Sequence, residues 1–430
     1  MKSLTETNSP QASPWLLVYI FGLVFIQGLL VNHIAVLMPV LEEAFELDEN
    51  QLGRTASLAF ASTFLPLFLS GYVTEWIRPK WSGALAVVVM GVGCIVMGTA
   101  TSLPIVLLGL VILQFGIPWI LAVHSAVISE HFAESRQRLF FCVMGMLALG
   151  AIFGPPAIGE AIERVTARES FAAWGKVYLW LGIFLLSLLA VLLLVCGRRI
   201  APLATRASRE GADERKETTN EASNTIQRMW DFVGSGIFNR PAFYLLGLMV
   251  VFDNLATVNI LTWLGVMAKD RFGVGPREIG FLTSLMAVGV LSGRILMAIF
   301  VSGRISDRKL LGLSYGLAMF VVMGMIVAPS MMVLYVLYFL MAFFMSAQSA
   351  ATSAIGAEKL KDRAAVGIPL VDGVGSLGSL AAPLIMGSFA VQFGLMRAMW
   401  MIPAFGLMLS VISLGWEWLD KGDTTKPHFG

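Results

Sequence analysis

Three formal charges interrupt long apolar runs in this 430-residue chain: Asp253 in "LLGLMVVFDNLATVNILTW", Arg294 in "GVLSGRILMAIF" and Asp372 in "GIPLVDGVGSLGSLAAP". If such a run lies in a bilayer, a charge within it costs about 2.5 kcal/mol or more and marks a functional site by default. Helix rise counted from the nearest end of each run puts Arg294 at a depth of roughly 13 Å, Asp372 at roughly 12 Å and Asp253 at roughly 18 Å. Arg294 and Asp372 share one depth, and an ion pair or a shared substrate site is expected of them if their helices border one cavity. One version is a self-neutralising pair that fixes helix register. In the other, Arg294 takes an anionic group through two parallel hydrogen bonds, while Asp372 or Asp253 carries a proton. Burial favours the neutral form of a carboxyl and a neighbouring guanidinium its charged form. Asp253 has no obvious partner in the pattern, so it is the better proton carrier.

Neutral polar residues recur in the same kind of run: Gln27, Asn32 and His33; Gln114 and His124; Asn254, Thr257 and Asn259; Gln348, Ser349 and Thr352. Helical spacing puts Met345, Ser349 and Thr352 on one face with Gln348 beside them, and it aligns Asp372, Ser376, Ser379 and Pro383 on another. Such stripes face a cavity or bond a neighbouring helix. His33 and His124 sit toward opposite ends of their helices, which excludes a shared metal site. No Ser-His-Asp, zinc or phosphate-loop constellation appears in its required context. The expectation is no enzyme, no metal and no cofactor beyond a coupling proton or other ion.

The elements that must position these residues follow from composition. Hydrophobic residues make up 57% and charged residues 13%, where a soluble chain carries about 25% charge. Much of the surface must therefore face lipid. A net charge of +2 gives no nucleic-acid footprint. Cys94, Cys142 and Cys196 lie in apolar runs and read as small hydrophobes. Runs of about 20 apolar residues, long enough to cross a bilayer, give six spans before residue 198 and six after residue 240. We expect an all-α membrane protein: a tail over 1–14, a bundle over 15–197, a partly disordered cytoplasmic linker over 198–240, a second bundle over 241–418 and a tail over 419–430. Within the linker, "IQRMWDFVGSGIF" reads as a short interfacial helix. Lys and Arg on the loops that share a side with the termini outnumber those on the other loops by more than two to one, which places both termini in the cytoplasm.

Two loops repeat six spans apart: "GYVTEWIRPKW", with Gly71, Glu75 and Arg78, and "GRISDRKLLG", with Gly303, Asp307 and Arg308. The glycine lets helices approach closely. The acid pairs with loop bases or caps a helix, a contact able to latch two halves. In these loops and the six-plus-six arrangement the chain resembles the major facilitator superfamily along essentially its whole length. The resemblance implies a twelve-helix fold of two pseudo-two-fold-related bundles. It also implies a monomeric secondary transporter in the cytoplasmic (inner) membrane that moves a small-molecule substrate by alternating access. The eighth-span arginine is similar to that of the monocarboxylate and oxalate-formate antiporter branches, which suggests an organic anion, although those relatives have a lysine where this chain has Asp372. The alternatives are a proton-linked sugar or drug transporter and, in another class, a non-transporting receptor or scaffold. "GAIFGPPAIG" partly resembles the antiporter signature of the fifth span and reads chiefly as packing. The Gly373, Gly375, Gly378 pattern lacks the strand that a dinucleotide fingerprint needs.

Overall fold

The computed structural model describes residues 14–76, 79–132, 136–214, 238, 240–300, 304–360 and 364–424. Apolar stretches bounded by polar loops fold as helices because lipid offers no partner for an unpaired backbone group. Eleven of the described helical segments are long and apolar enough to cross a membrane. Glu49–Trp76, a helix of 28 residues, supplies the remaining span in the expected order.

The first span is broken: Pro14–Val31 and His33–Phe45 meet at Asn32, whose backbone is not helical. The third to sixth spans are Pro79–Gly98, Leu103–His131, Arg136–Arg168 and Gly175–Glu214; the seventh to ninth are Pro241–Phe272, Pro276–Phe300 and Asp307–Ile326. The tenth is also broken, into Met331–Met345 and Gln348–Leu360. Ala364–Phe393 is the eleventh, and Leu395–Ala398 with Met401–Thr424 forms the twelfth. Gly273, at φ 64°, ends the seventh span in the left-handed conformation that glycine takes most readily.

Packing repeats between the halves. In the first bundle the first span packs on the fifth, the second on the fourth, and the third on the fourth and sixth; in the second bundle the seventh packs on the eleventh, the eighth on the tenth, and the ninth on the tenth and twelfth. Across the halves the second span meets the eleventh and the fifth meets the eighth, pairs that exchange under a six-span shift. The architecture is thus two six-helix bundles related by a pseudo-two-fold axis. Tyr19 and Tyr178 are among the largest fully buried side chains of the first bundle, Trp263, Tyr315 and Tyr338 among those of the second. Large apolar side chains such as Leu194 (78% exposed) point outward, as a lipid-facing surface requires.

Residues 198–214, the first part of the partly disordered linker, continue the sixth span's helix to Glu214. "RRIAPLATRASREGADE" is rich in Ala, Arg and Glu, which favour helix without needing a core. Low hydrophobicity argued against independent folding, but a helix already nucleated by a membrane span can propagate. The segment "IQRMWDFVGSGIF" lies outside the described residues except for Phe238.

Candidate functional site

A cavity of about 330 Å³ lies against the second bundle. The seventh span contributes Leu246, Val250, Asp253 and Asn254; the tenth contributes Gln348, Ser349, Thr352, Ser353 and Gly356; the eleventh contributes Ile368, Val371 and Asp372. Among the described residues, Leu121 is the one of the first bundle on its lining. The break in the tenth span falls immediately before Gln348, so the polar face of its second piece is free to turn toward the cavity.

Asp253 is 8% exposed and is held on both oxygens. Oδ1 accepts hydrogen bonds from the Tyr315 hydroxyl and from Thr257 Oγ1 at 3.3 Å. Oδ2 accepts one from Gln348 Nε2 at 2.8 Å. Thr257 and Tyr315 are also within 3.3 Å of each other. The structure therefore corrects the reading of Asp253 as an acid without a partner: three donors from the seventh, ninth and tenth spans surround it. Sequence periodicity missed Tyr315, which sits among leucines and glycines in "LLGLSYGLAMF" and reads as core. The available signal was that a buried tyrosine hydroxyl usually finds a hydrogen-bond partner.

Arg294 and Asp372 do not form the expected ion pair. Arg294 Nη2 donates to Ser349 Oγ at 3.2 Å, and Arg294 has no carboxylate partner among the described residues. Asp372 lines the cavity with an exposed side chain. Helix rise gave the two residues equal depth, but depth leaves open where each side chain lies around its helix axis. Asn254 lines the cavity and also donates to the Gly375 carbonyl at 2.9 Å. Gly378 brings its helix against the Val251 carbonyl of the seventh span, so the Gly-rich pattern serves close packing.

Other expected positions fall elsewhere. Gln27 and Gln114 are buried in the first bundle and, like Asn32, are not on the cavity lining. His33 Nδ1 lies 3.3 Å from the Tyr178 hydroxyl, and His124 Nδ1 lies 3.1 Å from the Ile120 carbonyl, both within the first bundle. Of the two proposed stripes, Ser349, Thr352 and Asp372 reach the cavity, whereas Met345 precedes the helix break and is buried. Ser376 donates to the carbonyls of Asp372 and Gly373, and Asn259 to that of Leu255. In the loop motifs, Gly71 and Glu75 lie in the second-span helix, and Arg78 and Gly303 fall outside the described residues. Asp307 opens the ninth span behind the N-cap Ser306. Arg308 pairs with Glu358 at 3.4 Å and lies over the Trp416 ring, contacts within the second bundle.

The bundles are joined toward the side opposite the termini. Lys269 bridges to Glu43 at 3.0 Å and Glu42 at 3.4 Å, and Arg277 pairs with Glu160 at 3.0 Å. Gly280 packs directly on the Pro155 carbonyl, and Gly53 and Gly387 bring the second and eleventh spans together. The cavity, by contrast, is lined toward the other side, by residues up to Gly356 near the Leu360 end of the tenth span.

Residues 20–275 and 246–429 match the family model described as Major Facilitator Superfamily. No curated protein sequence matches the chain. Among solved structures it is similar to a bacterial homolog of the human lysosomal transporter Spinster in an inward-facing, unoccupied conformation. That match has a TM-score of 0.70 at 14% identity and covers 94% of this chain and 97% of the other. It is also similar to the xylose transporter XylE from E. coli in a partially occluded inward-open conformation, with a TM-score of 0.64 at 12% identity, covering 93% of this chain and 99% of the other. A structure titled D-xylose-proton symporter matches with a TM-score of 0.66 at 15% identity, covering 93% and 96%.

Proposed function

Because the chain belongs to the major facilitator superfamily of membrane transporters, we propose that it is a proton-coupled secondary transporter of a small polar solute, with the cavity beside Asp253 as the solute site. The observation that carries this reading is the shell around Asp253. Tyr315 and Thr257 offer hydroxyls that can donate or accept, and an amide such as Gln348 can present either its nitrogen or its oxygen. The shell can therefore hold Asp253 with or without a proton. Asp253 and Gln348 both line the cavity, so the protonation state is felt at the wall that a solute touches.

With both termini in the cytoplasm of a cell whose inner membrane holds the protein, the arrangement is inward-open. The contacts of Lys269 and Arg277 close the outer side and must break when the bundles rock about the site. The described lining of the cavity comes from a single chain, which suits a monomer. An organic-anion substrate is favoured by one specific observation: Arg294, hydrogen-bonded to Ser349 on the wall, has no carboxylate partner among the described residues and keeps donor capacity for one.

The test is uptake by the purified protein in proteoliposomes under an imposed pH gradient, compared across organic acids, sugars and cationic drugs. A transported solute should accumulate only with the gradient. Asp253→Asn should still exchange it across the membrane but fail to concentrate it. Gradient-driven accumulation by Asp253→Asn would remove Asp253 as the proton carrier.

A further inference from the structure

We propose that the solute is a small zwitterion, its cationic end held by Asp372 and its anionic end by Arg294. The proposal rests on the reading of the cavity as the solute site and specifies what enters it. Two charges of opposite sign face or adjoin the cavity without meeting each other. Asp372 is on the lining, and its carboxylate has no hydrogen bond or ion pair with a described residue. Arg294 stands one hydroxyl behind the wall: its described partner is Ser349, itself a lining residue, at 3.2 Å.

Both charges lose water when the bundles rock closed over the site, where an unmatched charge is costly, and different solutes relieve the cost differently. A monoanion satisfies Arg294 but enters a cavity that already holds the carboxylates of Asp253 and Asp372. A monocation satisfies Asp372 and leaves Arg294 unmatched, and a neutral sugar leaves both. A molecule carrying both charges supplies each missing partner. Asp372 is the better partner for the cationic end, because the Asp253 carboxylate already accepts from three protein donors and that of Asp372 from none among the described residues. The volume, at the lower end of the roughly 300–1,000 Å³ range of ligand pockets, suits a compact solute. Leu121, Leu246, Val250, Ile368 and Val371 offer a short aliphatic body an apolar seat. These features together describe an α-amino acid or a betaine-like molecule.

The experiment is calorimetric titration of the full-length protein in lipid nanodiscs. The probes are glycine, alanine, valine, leucine, proline and glycine betaine. Valine methyl ester carries the cation alone, N-acetylvaline the anion alone, and glucose neither. The expected result is binding of at least one zwitterion, with its singly charged derivatives weaker by about tenfold or more, the scale of one charge-assisted hydrogen bond. Arg294→Gln should erase the preference for valine over its ester, and Asp372→Asn the preference for valine over N-acetylvaline. Arg294→Lys and Asp372→Glu should retain part of the preference, which separates loss of charge from loss of fold.

The proposal is overturned if no zwitterion binds, if singly charged or neutral probes bind as tightly, or if both charge-removing variants keep the wild-type preference. Glucose binding alone, with glucose uptake that depends on Asp253, would overturn the zwitterion and leave the proton-coupled carrier standing. Zwitterion binding with pH-independent uptake would support the zwitterion and remove the proton coupling.

Discussion

The two bundles repeat the same helix packing but treat buried polarity in opposite ways. In the first, the side-chain bonds run within the bundle: His33 to Tyr178, Trp119 Nε1 to Ser82 at 3.0 Å, and Tyr19 to the Lys80 carbonyl at 2.6 Å, while Gln27 Oε1 and His124 Nε2 are buried without a partner among the described residues. In the second, Asp253, Gln348 and Asp372 reach a cavity, and Arg294 reaches its wall. Duplication of a packing scheme therefore does not duplicate a site. The helix pairs are fixed by small residues and apolar surface, which leaves the side chains facing the centre free to differ. Among the described residues the first bundle touches the cavity with Leu121, and the charged groups at the cavity belong to the second.

Matched substitutions in the two bundles test this division most strongly. Gln114 and Gln348 are glutamines in corresponding spans, the fourth and tenth. Gln348→Leu removes the 2.8 Å donor from Asp253, and a hydrogen bond to a charged group is worth about 1.5–3 kcal/mol. Proton-driven transport should fall by about tenfold or more in proteoliposomes, whereas Gln114→Leu should leave the rate near wild type. Equal losses in the two variants would end the claim that the bundles differ.

A second pair sharpens it. Tyr178 and Tyr315 are both fully buried, and each bonds a titratable side chain, His33 in one bundle and Asp253 in the other. Tyr178→Phe removes a neutral hydrogen bond and should lose about 1 kcal/mol of stability, whereas Tyr315→Phe removes a donor to the Asp253 carboxylate and should lose about 1.5–3 kcal/mol, each read as a lowered Tm in the same detergent. Only Tyr315→Phe should move the pH profile of transport, because only Tyr315 contacts the proposed proton carrier. The groups facing Asp253 among the described residues are Tyr315 on the ninth span, Thr257 on its own span, Gln348 on the tenth and Asp372 across the cavity on the eleventh. A shifted profile in Tyr178→Phe would assign part of the coupling to the first bundle.

These pairs also show what sequence alone could reach. The span count, the six-plus-six division and the candidacy of Asp253, Asn254, Gln348 and Asp372 follow from apolar run length and from the cost of a charge in lipid. Tyr315 could not be separated from core tyrosines, because its role comes from a contact between spans far apart in the chain. The Arg294 to Asp372 pairing failed for a related reason. Helix rise gives depth, but the direction of a side chain around its axis depends on how a helix bends and packs. The break at Ser346 and Ala347 resets that direction in the middle of the tenth span. The glutamines of the first bundle carried the same sequence signal as Gln348, and only tertiary packing separates a cavity-lining amide from a buried one.

The smallest expected effect concerns the contacts between the bundles. Lys269 holds Glu42, Glu43 and the Pro39 carbonyl on the side opposite the termini, and it is partly exposed. Exposed ion pairs are worth about 0–1 kcal/mol, so Lys269→Gln should shift the balance between the two openings by no more than about fivefold. A cysteine placed at Ser353, on the cavity lining, reports this balance through its rate of alkylation from the termini side. The rate should fall modestly in Lys269→Gln, and the fall should shrink as salt screens the pair in the parent protein. Arg277, which pairs with Glu160 across the same boundary, should behave alike. The glycine contacts at Gly280 and Gly53 remain in both variants, so the closed side should reopen only in part. Abolition of alkylation by Lys269→Gln alone would mean that charge, and not close helix packing, holds the bundles together.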